Sequence, residues 1–418
     1  MEKLRVRVQP TGIMYLDNTS TFGCAITSLE YLVAELDASR FVPFVVSAQD
    51  TRVLERAFPN ARTIQMVPRL RCVERRLRAG SNPVAPSPSN PARRLLTTAH
   101  ALHWVARYDL AQAARYAKVA REAGAGLLHL NNNVESQPSG ALAAWLAGLP
   151  SVAHARSFQE PFLSLRIYLR LVDHHIAVSN AVRDNLLELG VAPDRISVVP
   201  DAVPVDLLAE RSDPADLERE FDARPDEIRF GFFGRIVAWK GVLEFLHAAF
   251  EVMREEPRAR AFIVGGVSDG DESYMRAVES QIMTSGFSDR IEVTGFRADV
   301  QRLMGFMDIV VHSSTAPEPF GMVLIEAMAA RKPVVATRAG GPQDIVDDGE
   351  TGYLVAPGSK DEMSAAILEL IRDPGRARAM GEAGFARARA RFGSDRSCRQ
   401  VMDIYDRLLN GRGGRRRP

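Results

Sequence analysis

Short apolar runs alternate with stretches of helical spacing along the first half of the chain. The segments at 27–36 (TSLEYLVAEL) and 139–149 have apolar residues at the spacing of a buried helix face. Apolar runs of strand length accompany them, at 4–10, 41–48, 126–132, 151–157 and 174–180. Strands that alternate with helices predict βαβ units and a parallel sheet.

A second series of the same kind begins after Pro200 and Pro204, which are typical of a linker. Its apolar runs lie at 228–236, 259–266, 290–296, 307–314, 332–341 and 351–357. The pattern therefore predicts an α/β protein with two doubly wound parallel-sheet domains, at 1–200 and 201–393. The length agrees, because 418 residues exceed what one ordinary hydrophobic core holds.

Composition narrows the class of protein. With 53 basic and 52 acidic residues the net charge is +1, which argues against a nucleic-acid binder that relies on phosphate neutralisation. Cys24, Cys72 and Cys398 have no paired spacing, so neither a zinc site nor a disulfide framework is predicted. The N-terminal residues carry scattered charges where a signal peptide has an apolar core, and no apolar run is long enough for a membrane span. We expect a cytoplasmic protein.

Two segments depart from the alternation. Residues 69–94 carry seven arginines and one acidic residue around a Pro-, Ser- and Asn-rich centre, which predicts an exposed insertion. The sequence GRGGRRRP, at 411–418, predicts a basic disordered tail.

The segment APEPFGMVLIEAMA, at 316–329, contains Glu318 and Glu326 with seven residues between them. It follows a predicted strand and has the helix formers of a buried helix. Glu318 should therefore lie in a strand-to-helix loop at the carboxyl edge of a parallel sheet, where open α/β folds bind ligands. The first backbone N–H groups of the helix have no intrahelical partner and predict an anion site. They belong to Phe320, Gly321, Met322 and Val323.

The two carboxylates are expected to flank this anion site. Helical side chains lean toward the helix N-terminus, so Glu326 should point back to the opening that Glu318 borders. A carboxylate repels an anion but accepts hydrogen bonds from hydroxyl groups beside it. A phosphate with a sugar on each side would satisfy both demands. The alternative is that Glu318 is solvated and that Glu326 forms a cap or a local salt bridge.

A second segment, FGFFGRIVAWKG at 230–241, brings Arg235 and Lys240 to the carboxyl end of another predicted strand. It lacks the residue order of a P-loop and of the Rossmann dinucleotide fingerprint. Taken alone, it is better explained by an exposed arginine and a lysine that extends to solvent. Together with the glutamates and the helix N-terminus, the two cations predict a site for a nucleoside-diphosphate sugar.

These segments resemble the retaining GT-B glycosyltransferases of glycosyltransferase family 4. EPFGMVLIEAMA is similar to that family's E-x7-E signature and GRIVAWKG to its Gly-Arg and Lys-Gly segment, while AVSNAVRDNL and RISVVPDAV resemble its inter-domain stretch. The resemblance covers most of the chain and is densest at 176–358. It implies two Rossmann-like domains facing across a cleft, the first for the acceptor and the second for the donor. A helix at about 394–410 would pack back on the first domain.

The resemblance also implies roles for residues of the second domain. Arg235 and Lys240 would neutralise the donor diphosphate, and backbone amides from Phe320 to Val323 would complete the pocket. Glu326 would hold the ribose hydroxyls and Glu318 the hydroxyls of the donor sugar.

Other positions that match the family surround this set. Phe296 and Arg297 would line the nucleotide base. In the first domain, Gly23 would approach the phosphates, and His154 would touch the donor sugar, although a histidine at a strand end is as often structural.

The sequence departs from the family pattern at three places. Phe22 and Cys24 flank Gly23 where two adjacent glycines are usual, so the approach of this loop to the phosphates is in doubt. Asp201-Ala202 stands where Asn-Gly is common, and Arg331 replaces a usual glycine.

The implied reaction is transfer of a hexose from a UDP- or GDP-sugar to a carbohydrate or lipid-linked acceptor, with retention of configuration. Cell-surface polysaccharide or glycoconjugate biosynthesis is the implied setting. The sequence offers no convincing covalent nucleophile. The alternatives are a nucleotide-sugar epimerase or a phosphorylase on the same scaffold, or a non-catalytic nucleotide-sugar sensor.

Neither a cofactor nor a metal is expected. Asp269 and Asp271 form a D-x-D of the kind that chelates metal in the other major glycosyltransferase fold, but the cations of the donor site already supply positive charge. The arginines of 69–94, close to Leu and Trp residues, suit peripheral contact with anionic lipid on the inner face of the membrane. A solvated loop is the alternative there.

Overall fold

The computed structural model describes residues 9–18, 23–66, 108–161, 165–210, 216–268 and 270–411. The predicted strand at 4–10 lies outside them apart from Gln9 and Pro10, and the insertion at 69–94 lies wholly outside. The same holds for Asp269 and for the predicted tail after Gly411.

The chain forms two compact units. Unit 1 comprises the residues up to Val199 together with those from Ser397 onward, and unit 2 comprises Pro200–Arg396.

Unit 1 contains a seven-stranded sheet in the order β3-β2-β1-β4-β5-β6-β7, in which every pair of neighbours is parallel. Its strands are β1 (Thr11–Asp17), β2 (Phe41–Ser47), β3 (Arg62–Gln65), β4 (Ala125–Leu130), β5 (Ser151–Ala155), β6 (His174–Ala177) and β7 (Ile196–Val198). Its described helices before the linker are α1 (Cys24–Ala34), α2 (Thr51–Ala57), α3 (Leu110–Glu122), α4 (Pro138–Ala147), α5 (Leu165–Leu171) and α6 (Asn180–Glu188).

Unit 2 contains a six-stranded sheet in the order β10-β9-β8-β11-β12-β13, also with parallel neighbours throughout. Its strands are β8 (Ile228–Phe233), β9 (Ala259–Val264), β10 (Ile291–Gly295), β11 (Ile309–His312), β12 (Val334–Thr337) and β13 (Gly352–Val355). Its described helices are α7 (Val205–Glu210), α8 (Leu217–Glu220), α9 (Val242–Glu255), α10 (Glu272–Thr284), α11 (Val300–Phe306), α12 (Met322–Ala329), α13 (Pro342–Ile345), α14 (Lys360–Arg372) and α15 (Pro374–Arg391).

The predicted α/β class is confirmed, because both units alternate strands and helices around a parallel sheet. The apolar runs predicted as strands in the described residues correspond to β2, β4, β5, β6 and β8–β13. The first described strand, β1, was not predicted, and neither were β3 and β7.

A last helix, α16 (Ser394–Asn410), contributes to the core of unit 1. Cys398, Val401 and Tyr405 are fully buried there with Ile13 and Tyr15 of β1. The Tyr405 hydroxyl lies 2.5 Å from Nδ1 of His129 and 3.1 Å from the hydroxyl of Tyr15. Burial lowers the pKa of His129 to about 3, so its ring is neutral and this hydrogen bond joins neutral groups.

We predict that Tyr405→Phe destabilises unit 1. The substitution keeps the ring but removes the partner of a fully buried imidazole nitrogen, which should cost about 1–3 kcal/mol. Tyr353→Phe is the matched control in unit 2, because its hydroxyl bonds the exposed Glu369 and its loss should cost no more than about 0.5 kcal/mol. Denaturant unfolding of both variants measures the difference, and equal losses would contradict the prediction.

Candidate functional site

The candidate site lies where the strand order of the unit 2 sheet reverses. Strands β8 and β11 are neighbours there. After β8 the chain continues to β9 toward one edge of the sheet, and after β11 it continues to β12 toward the other edge. A reversal of this kind leaves a crevice outside the carboxyl ends of the two strands, which is where open α/β sheets bind ligands. The loop after β8 carries Arg235 and Lys240, and the loop after β11 carries Glu318.

Lys240 and Glu318 form an ion pair across these two loops. Lys240 Nζ lies 2.5 Å from Glu318 Oε2, and the two side chains are only 17% and 11% exposed. The ammonium also lies 4.4 Å from the ring centroid of Trp239, which favours a cation. Burial alone would raise the pKa of Glu318, but the His312 hydrogen bond and the Lys240 charge hold it at about 2. Glu318 is therefore ionised at neutral pH.

Backbone contacts bring the two loops together. Thr315 N donates to Trp239 O at 2.9 Å, and Ser313 Oγ donates to Lys240 O at 3.0 Å. Gly241 has a φ of 70°, and a Cβ atom at this position would lie 2.0 Å from Ser313 O. Glycine is required here because any side chain would separate the loops that carry the ion pair.

A third loop, after β12, fixes the backbone of Glu318. Glu318 N donates to Ala339 O at 3.1 Å, and Gly341 N donates to Glu318 O at 2.8 Å. A Cβ atom on Gly340 would lie 2.2 Å from Glu318 O. The Ala-Gly-Gly sequence that follows β12 thus permits a close approach to the site loop.

Helix α12 begins four residues after Glu318, at Met322. Its N-cap is Gly321, which has a φ of 108° and no side chain to accept from the first amide groups. Phe320 is buried beside Phe392, with ring centroids 6.0 Å apart. The helix N-terminus therefore presents the positive end of its dipole at this edge of the sheet.

Glu326 lies one turn into α12 and differs from Glu318 in its electrostatics. Its side chain is partly buried, and burial raises its pKa to about 7. Among the described residues no basic side chain forms an ion pair with it, unlike Glu318. Glu326 therefore ionises less readily than Glu318, and a hydroxyl group that donated to it would favour the charged form.

The other predicted residues of unit 2 differ in their exposure and in whether other side chains already form ion pairs with them. Arg235 is exposed and forms no ion pair with a described residue, so its charge is uncompensated. Phe296, after β10, is 82% exposed and presents an open aromatic face. Arg297 instead forms ion pairs with Glu220 and Asp299, which hold its guanidinium locally.

The two predicted residues of unit 1 lie in different surroundings from each other. Gly23 is exposed at the start of α1, with an extended backbone and no atom within 4 Å of a Cβ position. His154 is buried near the end of β5, its Nδ1 3.2 Å from Arg156 Nη2 and its ring 5.5 Å from that of His129. Burial places the pKa of His154 well below its ordinary value, so the ring is neutral.

The sequence reasoning missed three residues that contact the site carboxylate or its histidine. His312 ends β11, Ser314 lies two residues after it, and Thr337 ends β12. His312 and Ser314 both contact Glu318 Oε2, and Thr337 contacts His312. The available signal was the His-Ser-Ser sequence directly after a buried strand, at the sheet edge where the glutamate was already expected.

Two absences concern the predicted partners. Within the described ranges, no helix is long and apolar enough to cross a membrane. The same residues include no group of three or more His, Cys, Asp or Glu side chains placed to hold a metal. Asp271 of the D-x-D precedes α10, and Asp269 is outside the described residues.

Comparison with known proteins now places the chain in a family. The family model for glycosyl transferases group 1 matches residues 215–387, and the model for Glycosyltransferase Family 4 matches residues 27–207. The solved structure of Anabaena HepE in complex with UDP and glucose superposes with a TM-score of 0.75 at 25% identity, covering 95% of this chain and 99% of that one. The chain belongs to glycosyltransferase family 4 and has the GT-B fold, as the sequence motifs predicted.

Curated relatives match over smaller parts. The lipopolysaccharide core biosynthesis mannosyltransferase of Rhizobium leguminosarum bv. viciae is 31% identical over 179 residues, which are 43% of this chain and 51% of that protein. The N-acetyl-alpha-D-glucosaminyl L-malate synthase of Bacillus anthracis is 26% identical over 323 residues, 74% of this chain and 82% of that protein. The match spans only about half of the length of the Rhizobium protein, 51%, and of the D-inositol 3-phosphate glycosyltransferase of Segniliparus rotundus, 48%.

We predict that Glu326→Gln stabilises the protein at pH 8 but not at pH 4.5. Burial disfavours the ionised carboxylate, so the folded protein loses stability as pH rises from the unfolded pKa near 4.5 to the folded pKa near 7. The neutral amide avoids a cost of about 2–3 kcal/mol above pH 7. Thermal unfolding at both pH values measures this, with the exposed Glu279→Gln as the control expected to show no change at either. A stabilisation that did not depend on pH would contradict burial as the cause.

Proposed function

We propose that this protein is a retaining glycosyltransferase that moves a hexose from a UDP- or GDP-sugar to a carbohydrate or lipid-linked acceptor. Polysaccharide or glycoconjugate biosynthesis is the proposed setting. The observation that carries the proposal is the Lys240–Glu318 pair at the strand-order reversal of unit 2, close in sequence to the N-terminus of α12. A cation, amide donors and an ionised acceptor suit a diphosphate joined to a sugar.

The proposed division of roles follows the chemistry of each group. Arg235 and Lys240 bind the diphosphate, helped by the amides from Phe320 to Val323. Glu318 accepts hydrogen bonds from donor-sugar hydroxyls and Glu326 from the ribose. Phe296 packs on the nucleotide base, supported by its 82% exposure. Unit 1 binds the acceptor, with Gly23 and His154 contributing to the donor as the family resemblance implies.

Retention of configuration is proposed without a covalent intermediate. The bond between the sugar and the diphosphate breaks, the acceptor oxygen attacks from the side of the leaving group, and the departing phosphate takes the acceptor's proton. Glu318 does not fit a general acid, because its pKa of about 2 keeps it ionised. The ion pair with Lys240 also stabilises the negative charge of the Glu318 carboxylate, which lowers its nucleophilicity. The protein then works by positioning and by stabilising charge on the diphosphate.

The relatives support the substrate classes of this proposal. HepE was solved with UDP, with UDP and glucose, and with UDP-glucose. The Rhizobium relative is named as a mannosyltransferase of lipopolysaccharide core biosynthesis. We include a cytoplasmic location in the proposal, with the seven arginines of 69–94 in peripheral contact with anionic lipid.

We predict that Arg235→Ala and Lys240→Ala each lower turnover by about one to two orders of magnitude. Each removes a charge-assisted contact worth about 1.5–3 kcal/mol to the departing diphosphate. The assay is release of nucleoside diphosphate from UDP- and GDP-sugars, with and without candidate carbohydrate acceptors. Arg276→Ala, an exposed arginine of α10, is the control expected to keep full activity.

If the protein transfers a sugar, nucleoside diphosphate should be released only when an acceptor is present. Conversion of the donor without any acceptor would favour an epimerase, and binding without turnover would favour a sensor. Release that needs inorganic phosphate would favour a phosphorylase. Full turnover in both the Arg235 and the Lys240 variants would overturn the assignment of the site.

We further predict that the reaction does not need a divalent cation. Arg235, Lys240 and the N-terminus of α12 already supply positive charge where the diphosphate would bind. Activity after dialysis against EDTA should equal that of the untreated protein, and added Mg²⁺ or Mn²⁺ should change it less than twofold. Activity lost in EDTA and restored by either ion would show that a metal is required after all.

A further inference from the structure

Three donor groups converge on one oxygen of the Glu318 carboxylate. Lys240 Nζ lies 2.5 Å from Oε2, Ser314 Oγ 3.1 Å and His312 Nε2 3.3 Å. No hydrogen bond from a described residue reaches the other oxygen, Oε1. A carboxylate oxygen has two lone pairs, so Oε1 keeps its full capacity to accept while Oε2 is saturated.

His312 is held in a single orientation by partners on both ring nitrogens. Its side chain is 3% exposed, and Thr337 Oγ1 lies 3.2 Å from Nδ1. An ionised carboxylate can only accept a hydrogen bond, so Nε2 carries the proton that points at Glu318. Thr337 Oγ1 contacts the opposite ring nitrogen, so the ring has a partner on each side and is held in place. Ser314 Oγ, 3.1 Å from Nε2, completes a closed cluster around Oε2.

We propose that His312 is a positioning residue that anchors Oε2 of Glu318 and thereby presents Oε1 to a hydroxyl group of the donor sugar. The inference rests on the proposed function, because it assumes that Glu318 meets the sugar. His312 itself touches no substrate in this proposal. It acts only through the carboxylate.

Lys240 alone would not hold the Glu318 carboxylate in a fixed position, whereas the place of His312 in the sheet allows it to do so. Lys240 has a long flexible side chain and is also assigned to the diphosphate, so its distance to Glu318 can change when a donor binds. His312 ends a central strand, with β8 and β12 on either side, and its ring has little freedom. A site group held by a rigid strand residue keeps its geometry while the lysine adjusts to the phosphate.

The test compares His312→Asn with His312→Gln. The Gln amide nitrogen can occupy the place of Nε2 and still donate to Glu318, whereas the shorter Asn reaches only the place of Nδ1. The probes are UDP and GDP, with UDP-glucose, UDP-N-acetylglucosamine and GDP-mannose as their sugar-bearing counterparts. Calorimetry with the wild-type protein first identifies the pair in which the sugar adds affinity.

We predict that His312→Asn loses about tenfold in affinity for the nucleotide sugar and less than twofold for the matching nucleotide. His312→Gln should retain most of the sugar-dependent affinity. In a Glu318→Gln background His312→Asn should add no further loss, because its route through the carboxylate is already removed. His247→Ala, at an exposed histidine of α9, should behave as the wild type.

Three results would overturn the inference. One is equal weakening of nucleotide and nucleotide sugar by His312→Asn, which marks a general structural defect. Another is an equal loss in the Gln and Asn variants. The third is a further loss of nucleotide-sugar affinity when His312→Asn is added to Glu318→Gln. If His312→Asn does not fold, Thr337→Val gives the same comparison, because it keeps the side-chain shape and removes only the hydroxyl that orients the ring. A wild-type protein that binds no nucleotide sugar would instead overturn the proposed function itself.

Discussion

The ion pair between Lys240 and Glu318 constrains how closely the surrounding loops of unit 2 must approach each other. Both side chains are withdrawn from water, and either charge alone would be costly to bury. The pair forms between loops that follow different strands, so it exists only if those loops approach closely. Gly241 permits that approach against Ser313, and Gly340 permits a third loop to hold Glu318 from the other side. The ion pair therefore depends on the backbone positions at which glycine lets these loops approach.

The sequence was sufficient for the fold because parallel strands buried on both faces are continuous apolar runs. The strands it missed have weaker signals for physical reasons. β1 follows Pro10 and starts Thr11-Gly12, a combination typical of a turn, and β3 is a four-residue edge strand with exposed Arg62 and Gln65. A short polar edge strand keeps a sheet from pairing with other chains. The same lack of apolar residues makes such a strand hard to predict from the pattern of apolar positions.

Individual site residues could be predicted from spacing, but their contacts could not. Glu318 and Lys240 were assigned separate ligand groups, whereas they bind each other across 78 residues of sequence. That contact depends on the strand order that makes β8 and β11 neighbours, which no local pattern encodes. The difference between Glu318, with a pKa near 2, and Glu326, with one near 7, likewise depends on which of them a cation and a histidine can reach.

The path of the chain through α16 has a consequence for how the protein is made. Unit 1 takes its first strand from the beginning of the chain and the side chains of Cys398, Val401 and Tyr405 from near its end, with the whole of unit 2 synthesised between them. Unit 2 is complete as soon as its contiguous segment has left the ribosome, so the later unit can mature before the earlier one. Until α16 has been synthesised, the residues of unit 1 that pack against it lack these partners, and His129 lacks the Tyr405 hydroxyl. The core of unit 1 therefore depends on side chains that follow the whole segment of unit 2 in the chain.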